Sequence, residues 1–199
     1  MSTSALLTAL REFSVLHAPP DKPFVLKSGK TSPHYVDVRR TALTAKGLYL
    51  IAWELYHTMV GTMKLHPRRV AGVALCGCPL ATALSLESLS ISSKGPHSHQ
   101  FDAIFDALYV RPEAKDHGTG NLVEGIFEPG DTVVLCEDVV TSGTSTLNAI
   151  RSLRQTGLKV IGVVAVLDRE EGGGPRIQTE CPFQSLTTLK ELLANGDGT

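Results

Sequence analysis

Two acidic residues and a cluster of hydroxyl side chains stand close together in the second half of the chain. Glu137 and Asp138 follow the apolar run 133–136, and Thr141-Ser-Gly-Thr-Ser145 comes almost directly after them. Hydroxyl groups and the free backbone N–H groups at the start of a helix bind phosphate, because the positive end of the helix dipole faces the anion. Two neighbouring carboxylates can accept hydrogen bonds from vicinal hydroxyls. The pattern therefore predicts a site for a ribose 5-phosphate.

Each of these residues, taken alone, has a simpler explanation. Acidic residues commonly end a strand, and Thr141 or Ser142 commonly caps a helix. The complete run from Val133 to Ser145 is far more specific than its parts. It is not a P-loop, because no Gly-Lys-Thr or Gly-Lys-Ser follows a spaced glycine.

The apolar pattern predicts that strands alternate with helices along the chain. Strands are expected at 70–75, 103–110, 133–136 and 159–167. Helices are expected at 5–16, from a cap at Thr44 to a stop at Gly61, and at 79–89, 142–155 and 188–194. This alternation predicts a parallel sheet, because a parallel neighbour requires a crossover long enough to hold a helix. The whole chain, 1–199, is expected to form one α/β domain.

Three further segments are not helical by pattern. Short β-type runs at 24–26 and 35–38 flank 27–33, which is typical of a hairpin or a bent connection with Lys27 at its mouth. Residues 88–102 are rich in Ser, Gly, Pro and His and predict a surface loop. Residues 111–125 are charged and glycine-rich and predict a mobile loop, for which a solvated hairpin tip is the alternative.

Composition excludes several classes of protein. Of the 199 residues, 42% are hydrophobic and 20% are charged, which is typical of a globular protein. The formal net charge of -1 gives no global attraction for nucleic acid or an anionic membrane. The four cysteines form no CxxC pair, and Cys76-Gly-Cys78 lacks the second pair of a metal site. With no signal segment and no long apolar run, the expectation is a cytoplasmic protein.

Other segments add to the acidic pair and the hydroxyl-rich loop. Residues 24–37, 77–82 and 114–118 resemble the corresponding stretches of the orotate phosphoribosyltransferases, in the same order. The resemblance covers roughly residues 10–170. It implies the type I phosphoribosyltransferase fold, with a central, mostly parallel sheet flanked by helices. Residues 1–40 and about 170–199 are then expected to form a small hood over the base, by the same family match.

The resemblance also implies an activity. Ribose 5-phosphate would pass from phosphoribosyl pyrophosphate to orotate, giving orotidine 5'-monophosphate and pyrophosphate in the synthesis of UMP. The cofactor would be Mg²⁺, held mainly by phosphoribosyl pyrophosphate and not by protein side chains. A homodimer is expected, in which the catalytic loop 111–125 of one subunit reaches the site of the other.

The same match assigns roles to residues of this chain. Those expected to contact orotate are Lys27, Tyr35, Thr141 and Arg169. Those expected to be catalytic are Arg111, Lys115, His117 and Asp138. Those expected to bind phosphoribosyl pyrophosphate are Glu137, Asp138, Thr141, Ser142, Gly143, Thr144, Ser145, Arg111, Lys115 and His117.

Two positions depart from the family pattern. Pro112 stands where a lysine usually follows the loop arginine, and Cys76 stands where some members carry a lysine. Each change removes a pyrophosphate contact, so we expect reduced or retuned activity. Two alternatives stay open at this point. One is a phosphoribosyltransferase for another base, against which Lys27 and Arg169 argue, and the other is a non-catalytic regulator that keeps the phosphoribosyl site.

Overall fold

A computed structural model describes residues 3–25, 29, 31–94, 104–112 and 121–194. The strands are β1 (Val15–His17), β2 (Phe24–Val25), β3 (Thr31–Ser32), β4 (His34–Val36), β5 (Arg69–Val73), β6 (Asp106–Val110), β7 (Val123–Glu124), β8 (Thr132–Val140), β9 (Lys159–Asp168) and β10 (Phe183–Thr188). The α-helices are α1 (Thr3–Ala9), α2 (Arg39–Ala42), α3 (Ala45–Tyr56), α4 (Gly77–Lys94), α5 (Thr144–Gln155), α6 (Gly173–Gln178) and α7 (Leu189–Leu193). Wider π-helical turns continue α1 over Leu10–Ser14 and α3 over His57–Thr62.

The central sheet has six strands in the order β10-β9-β8-β5-β6-β7. The first five are parallel to their neighbours, and β7 is antiparallel to β6. After β5 the chain adds β6 on one side, and β8 then pairs with β5 on the other side. The ends of β5 and β8 therefore frame the crevice where ligands bind in open parallel sheets. The predicted fold class, a mostly parallel sheet flanked by helices, is confirmed.

Side chains of β8 alternate between two hydrophobic clusters, one on each face of the sheet. Val134 and Cys136 pack with the cluster that holds residues of α3 and α4. Val133 and Leu135 pack with the cluster that holds residues of α5. Successive residues of a strand point to opposite faces. This alternation fixes which acidic residue faces which layer.

The N-terminal segment lies beside this sheet and adds two small antiparallel strand pairs. Strands β1 and β4 pair antiparallel, with Leu16 opposite Tyr35. Strands β2 and β3 pair antiparallel, so the run at 24–26 pairs with Thr31–Ser32 of the predicted connection, and the run at 35–38 pairs in part with β1 instead. Arg11 donates from Nε to the Leu192 carbonyl and from Nη2 to the Glu191 carbonyl, each at 3.0 Å. The N-terminal segment is thereby joined to α7.

Several element boundaries differ from the sequence predictions. Strand β8 runs to Val140 and not to residue 136, because it stays paired with β9 through Asp168. Helix α4 continues to Lys94, so the predicted loop at 88–102 is helical over its first part. The predicted helix at 5–16 ends in a π-helical turn, and Leu16 lies in β1. Helix α6 and strand β10 were not predicted.

The capping prediction for α3 is confirmed. The Thr44 hydroxyl accepts a hydrogen bond from the Gly47 backbone N–H at 3.0 Å, which satisfies one of the free donors at the helix start. None of the helices in the described segments is both long and apolar enough to cross a membrane.

Candidate active site

A cleft of about 510 Å³ opens at the carboxyl ends of β5, β8 and β9. The N-terminal segment contributes Tyr35, Asp37 and Arg39 to its wall. The sheet side contributes Cys76, Asp138, Thr141, Arg169 and Glu171. Four residues whose roles were predicted from the sequence thus line one cavity: Tyr35, Asp138, Thr141 and Arg169. They come from segments that are far apart in the chain.

The hydroxyl-rich segment 141–145 forms the turn between β8 and α5, and we call it the phosphate loop. Gly143 is buried and has a left-handed backbone with φ of 74°, a conformation that strongly favours glycine. Ser142, Thr144 and Ser145 are exposed. Helix α5 begins at Thr144, close to the predicted start. Its first backbone N–H groups have no partner within the helix and can bind an anion.

Helix α6 contacts the phosphate loop through Gly173 and Arg176. The Gly173 backbone N–H donates to the Thr141 carbonyl at 2.9 Å, and Arg176 donates to the Ser142 carbonyl. A Cβ on Gly173 would lie 2.3 Å from the Thr141 carbonyl oxygen and 2.7 Å from the Gly143 nitrogen. Sequence reasoning did not find this support. The run Gly172-Gly-Gly174, directly after the Arg169 segment, was the available signal.

The two acidic residues at the end of β8 have different environments. Asp138 lies on the cleft wall. Glu137 is 4% exposed and accepts a hydrogen bond from Thr146 Oγ1 at 2.9 Å. The contact predicted between Glu137 and the ribose hydroxyls stays a prediction, and in this structure the carboxyl instead contacts the first turn of α5. The physical reason is the strand: β8 includes both residues, and consecutive strand residues face opposite sides.

Burial controls the ionisation of Glu137. It raises the pKa of the carboxyl to about 8, against the lowering effect of the hydrogen bond from Thr146. The charge of Asp138 raises the same pKa further, and a hydrogen bond from Ser145 opposes it. Glu137 is therefore mostly protonated at neutral pH, and Asp138 is the acid that the cleft wall presents.

Both arginines on the cleft wall lie beside an acidic residue. Arg169 Nε is 2.9 Å from Glu171 Oε1, yet this buried Nε makes no hydrogen bond. Arg39 forms a two-point contact with Asp37, with Nε–Oδ1 of 2.6 Å and Nη2–Oδ2 of 2.9 Å. The hydrogen bond from Arg39 holds the pKa of Asp37 below its usual range. The sequence analysis identified Arg169 and missed Glu171, Arg39 and Asp37.

Cys76 stands on the wall next to Asp138. Burial raises the pKa of its thiol to about 11, and the Asp138 carboxylate adds to the effect through its charge and a hydrogen bond. The thiol is therefore neutral at physiological pH. In place of the lysine that some family members carry, this position offers the cleft no positive charge.

Arg111 does not belong to the cleft wall. Its backbone N–H donates to the Leu122 carbonyl at 2.8 Å, and its Nε lies 3.1 Å from Glu124 Oε1. Val123 and Glu124 form β7 against β6, so the two ends of the predicted loop 111–125 are held together as a hairpin. Lys27, Lys115 and His117, and with them residues 113–120 of that loop, lie outside the described residues.

The side chains at the cleft suit a metal ion that arrives bound to the substrate. They suit less well a metal ion that the protein would bind alone. Within the described segments, His, Cys, Asp and Glu side chains form no group of three that could hold a metal ion. Asp138 supplies a single carboxylate, and Glu137 is buried against Thr146. Mg²⁺ keeps several oxygen ligands from water and phosphate and needs few from protein. These residues therefore fit Mg²⁺ bound through phosphate oxygens.

Comparison with known proteins adds an independent line of evidence. The family model of the phosphoribosyl transferase domain matches residues 47–187. The orotate phosphoribosyltransferase of Aquifex aeolicus is 39% identical over 175 residues, which cover 87% of this chain and 88% of the relative. The solved orotate phosphoribosyltransferase of Aeropyrum pernix is 33% identical, with a TM-score of 0.74 and 100% of both chains covered.

A second solved structure includes a ligand. The orotate phosphoribosyltransferase of Mycobacterium tuberculosis H37Rv, in complex with 5-phospho-alpha-D-ribosyl 1-diphosphate, is 28% identical. Its TM-score is 0.72, and the match covers 96% of this chain and 98% of that one.

Proposed function

The chain belongs to the orotate phosphoribosyltransferase family, and from this premise we propose how its residues carry out the transfer. In the reaction, N1 of orotate forms a bond to the anomeric carbon of phosphoribosyl pyrophosphate as the bond to pyrophosphate breaks. The products are orotidine 5'-monophosphate and pyrophosphate. The observation that carries the proposal is the convergence of Asp138, Thr141 and Arg169 on one cleft, directly beside the phosphate loop.

The phosphate loop binds the 5-phosphate of the ribose. Exposed hydroxyls of Ser142, Thr144 and Ser145 surround the start of α5, where free backbone N–H groups and the helix dipole favour an anion. Asp138 accepts hydrogen bonds from the ribose hydroxyls. These two contacts orient the sugar so that its anomeric carbon faces the cleft. Such orientation is one source of the rate enhancement.

Arg169 holds the carboxylate of orotate. A guanidinium fits a carboxylate through two parallel hydrogen bonds, and Arg169 lies on the wall of the cleft. Tyr35 and Thr141, on opposite walls of the cleft, complete the base pocket, together with Lys27 by family match. A purine has no carboxylate to occupy Arg169, so the proposal favours orotate over a purine.

The chain stabilises the two charges that develop as the glycosidic bond breaks. Positive charge grows on the ribose, where the Asp138 carboxylate favours it, and negative charge grows on the departing pyrophosphate. Bound Mg²⁺ would neutralise part of the pyrophosphate charge. We assign Arg111, Lys115 and His117 to the pyrophosphate on the family match. Arg111 must exchange its contact with Glu124 to reach it.

Two wider features complete the proposal. We infer a homodimer in which the loop 111–125 covers the partner's site, where it would exclude water from the reacting carbon. We also infer a cytoplasmic location. The four free thiols, Cys76, Cys78, Cys136 and Cys181, support a reducing compartment.

A direct assay tests the activity. The protein is mixed with Mg²⁺, phosphoribosyl pyrophosphate and orotate, and the loss of orotate absorbance is followed together with pyrophosphate release. We expect both to proceed, to stop when the metal is chelated, and to fail when adenine or hypoxanthine replaces orotate. Binding of phosphoribosyl pyrophosphate without pyrophosphate release would instead identify a regulator, and turnover with a purine would identify another base.

A further inference from the structure

We propose that Arg39 binds the pyrophosphate group of phosphoribosyl pyrophosphate, and so supplies the positive charge that Cys76 does not provide at the sheet side of the cleft. The inference rests on the proposed function, because the pyrophosphate belongs to the substrate assigned there. It adds a residue of the N-terminal segment to the contacts that the family match assigns.

The order of the strands places Cys76 at the pyrophosphate end of the cleft. In the sheet, β5 lies between β8, which leads to the phosphate loop, and β6, which leads to Arg111. The Ala74 backbone N–H donates to the Val110 carbonyl at 2.8 Å, so the segments after β5 and β6 leave the sheet side by side. Arg169 follows β9, on the other side of β8. Cys76 therefore stands between the phosphate loop and Arg111, away from the site of the orotate carboxylate.

Arg39 lies close to Cys76. Both residues line the same cavity. Burial raises the pKa of the Cys76 thiol, the charge of Asp138 adds to this effect, and the charge of Arg39 acts in the opposite direction. The effect of a charge on a pKa falls with distance, so the guanidinium and the thiol are near neighbours. Arg39 therefore brings a positive charge to the place where the sheet side has a neutral thiol.

Asp37 holds Arg39 in one orientation and leaves part of the guanidinium for a ligand. Arg39 Nε lies 2.6 Å from Asp37 Oδ1, and Nη2 lies 2.9 Å from Oδ2. These contacts use one edge of the guanidinium, which carries further N–H donors on Nη1 and Nη2. The Asp37 side chain is 19% exposed, whereas that of Arg39 is 53% exposed. The outer edge of the guanidinium is therefore accessible from the cleft.

The acids of the cleft make a cation necessary at this end. A pyrophosphate group near Cys76 would lie close to the carboxylates of Asp37 and Asp138, which are both on the described wall. Like charges at such distances oppose binding. A guanidinium offers two parallel N–H groups to two phosphate oxygens, which a thiol cannot do. Arg39 therefore supplies an attraction that the neighbouring acids and the neutral thiol lack.

A set of matched variants tests the assignment. Arg39→Gln removes the charge and nearly keeps the length of the side chain, and Arg39→Lys keeps the charge without the fork. Cys76→Lys, alone and combined with Arg39→Gln, places a cation at the sheet side instead. Arg40→Gln is the control, because this neighbouring arginine is not part of the described wall and its Nε donates to the Phe13 carbonyl at 2.8 Å.

Calorimetry measures the Kd of magnesium pyrophosphate and, separately, the Kd of ribose 5-phosphate for each protein. We expect Arg39→Gln to raise the Kd of magnesium pyrophosphate about tenfold, the effect of losing one charged hydrogen-bonded contact. The Kd of ribose 5-phosphate should stay unchanged, and Arg39→Lys should lie between Arg39→Gln and the original protein. Arg40→Gln should match the original protein. The double variant should recover most of the lost affinity, because Lys at position 76 faces the same anion.

Steady-state kinetics extend the test to the reaction. Arg39→Gln should raise KM for phosphoribosyl pyrophosphate and leave KM for orotate unchanged. A loss confined to orotate would assign Arg39 to the base and overturn the inference. A thermal melt of each variant separates the loss of a contact from the loss of the fold, and Arg39→Lys decides the matter if Arg39→Gln does not fold.

The binding measurement does not depend on turnover. An original protein that binds magnesium pyrophosphate through Arg39 without transferring the sugar would refute the proposed function and leave the inference standing. The same Kd of magnesium pyrophosphate in the original protein, Arg39→Gln and Arg39→Lys would overturn the inference, as would an original protein that does not bind it. A double variant as weak as Arg39→Gln would show that Arg39 does not stand in for a cation at position 76.

Discussion

Arg169 shows how one residue can carry specificity for a base. Its side chain is 19% exposed, its Nε lies 2.9 Å from Glu171 Oε1, and this ion pair holds the guanidinium on the wall of the cleft. The described cleft wall has two arginines and three acids. The described wall therefore carries no excess of positive charge. Binding of two anionic substrates must depend on individual cationic side chains that lie close to each anion.

Arg169→Ala should weaken orotate binding more than binding of phosphoribosyl pyrophosphate. Loss of a charged hydrogen bond predicts a rise in KM for orotate of roughly tenfold to a hundredfold. Steady-state kinetics with each substrate varied in turn measure the difference. Arg154→Ala is the control, because Arg154 pairs with Glu180 on the surface. Equal losses for both substrates would reject the assignment of Arg169 to the base.

Glu137 should make stability depend on pH. Its pKa is raised from 4.5 to about 8 in the folded protein, so between these values the folded state holds a proton that the unfolded state has lost. Stability then falls as pH rises through this window, by at most about 1.4 kcal/mol per pH unit for one group. Glu137→Gln removes this dependence. Urea unfolding at pH 5, 6, 7 and 8 measures the free energy of unfolding of both proteins. The value for the variant should rise relative to that of the original protein as pH increases. Parallel pH profiles would contradict the effect of burial.

At the residue scale, the sequence predicted which types of side chain meet and not which way they face. Asp138, Thr141 and Arg169 were identified because acids, hydroxyls and arginine have recognisable chemistry. The burial of Glu137 was not foreseen, because the strand was expected to end at residue 136 and its alternation was not continued to the next residue. Asp37 and Arg39 were missed, since an ion pair two residues apart is common on any surface.

At the scale of elements, the first residue of α6 limits the shape of the phosphate loop. Gly173 approaches Thr141 so closely that a side chain cannot fit, with 2.3 Å from a Cβ to the carbonyl oxygen. The phosphate loop and the start of α6 must therefore move together. This coupling links the segment after β9 to the segment after β8, and hence the orotate side of the cleft to the phosphate side.

Gly173→Ala should displace the phosphate loop and raise KM for phosphoribosyl pyrophosphate, by about tenfold or more if one contact is lost. Gly61→Ala is the control, because a Cβ at Gly61 meets nothing within 4 Å. Kinetics together with a thermal melt distinguish a local effect from unfolding. A Gly173→Ala protein with unchanged KM would show that the loop tolerates the displacement.

The main elements could be predicted from the sequence because their apolar runs are long. Strands β5, β8 and β9 and helices α3 and α5 were all expected near their observed places. Helix α6 was missed because it opens with Gly173, Gly174 and Pro175, which are typical of a turn. Strand β10 was missed because it is an edge strand, mostly half-buried, and its residues Phe183–Thr188 are largely polar.

At the scale of the whole molecule, the expected dimer has a sharp test. If the loop 111–125 covers the partner's site, then Lys115→Ala in one subunit and Asp138→Asn in the other damage the same site of a mixed dimer. Subunits that exchange would form one site with both lesions and one with neither. We expect two inactive variants to regain up to about a quarter of normal activity on mixing, because half of the dimers are mixed and half of their sites are intact. No regain after verified exchange would place the loop over its own subunit's site.

The tie between Arg11 and α7 has a consequence for how the molecule folds. It joins residues 181 positions apart, and such a contact costs less conformational entropy once the intervening sheet has formed. The strand β1, which pairs with the strand that holds Tyr35, follows Arg11 closely in the chain. Recovery of turnover should therefore lag behind recovery of helical circular dichroism after dilution from urea, and Arg11→Ala should lengthen the lag. If the two signals return together in both proteins, the tie forms early.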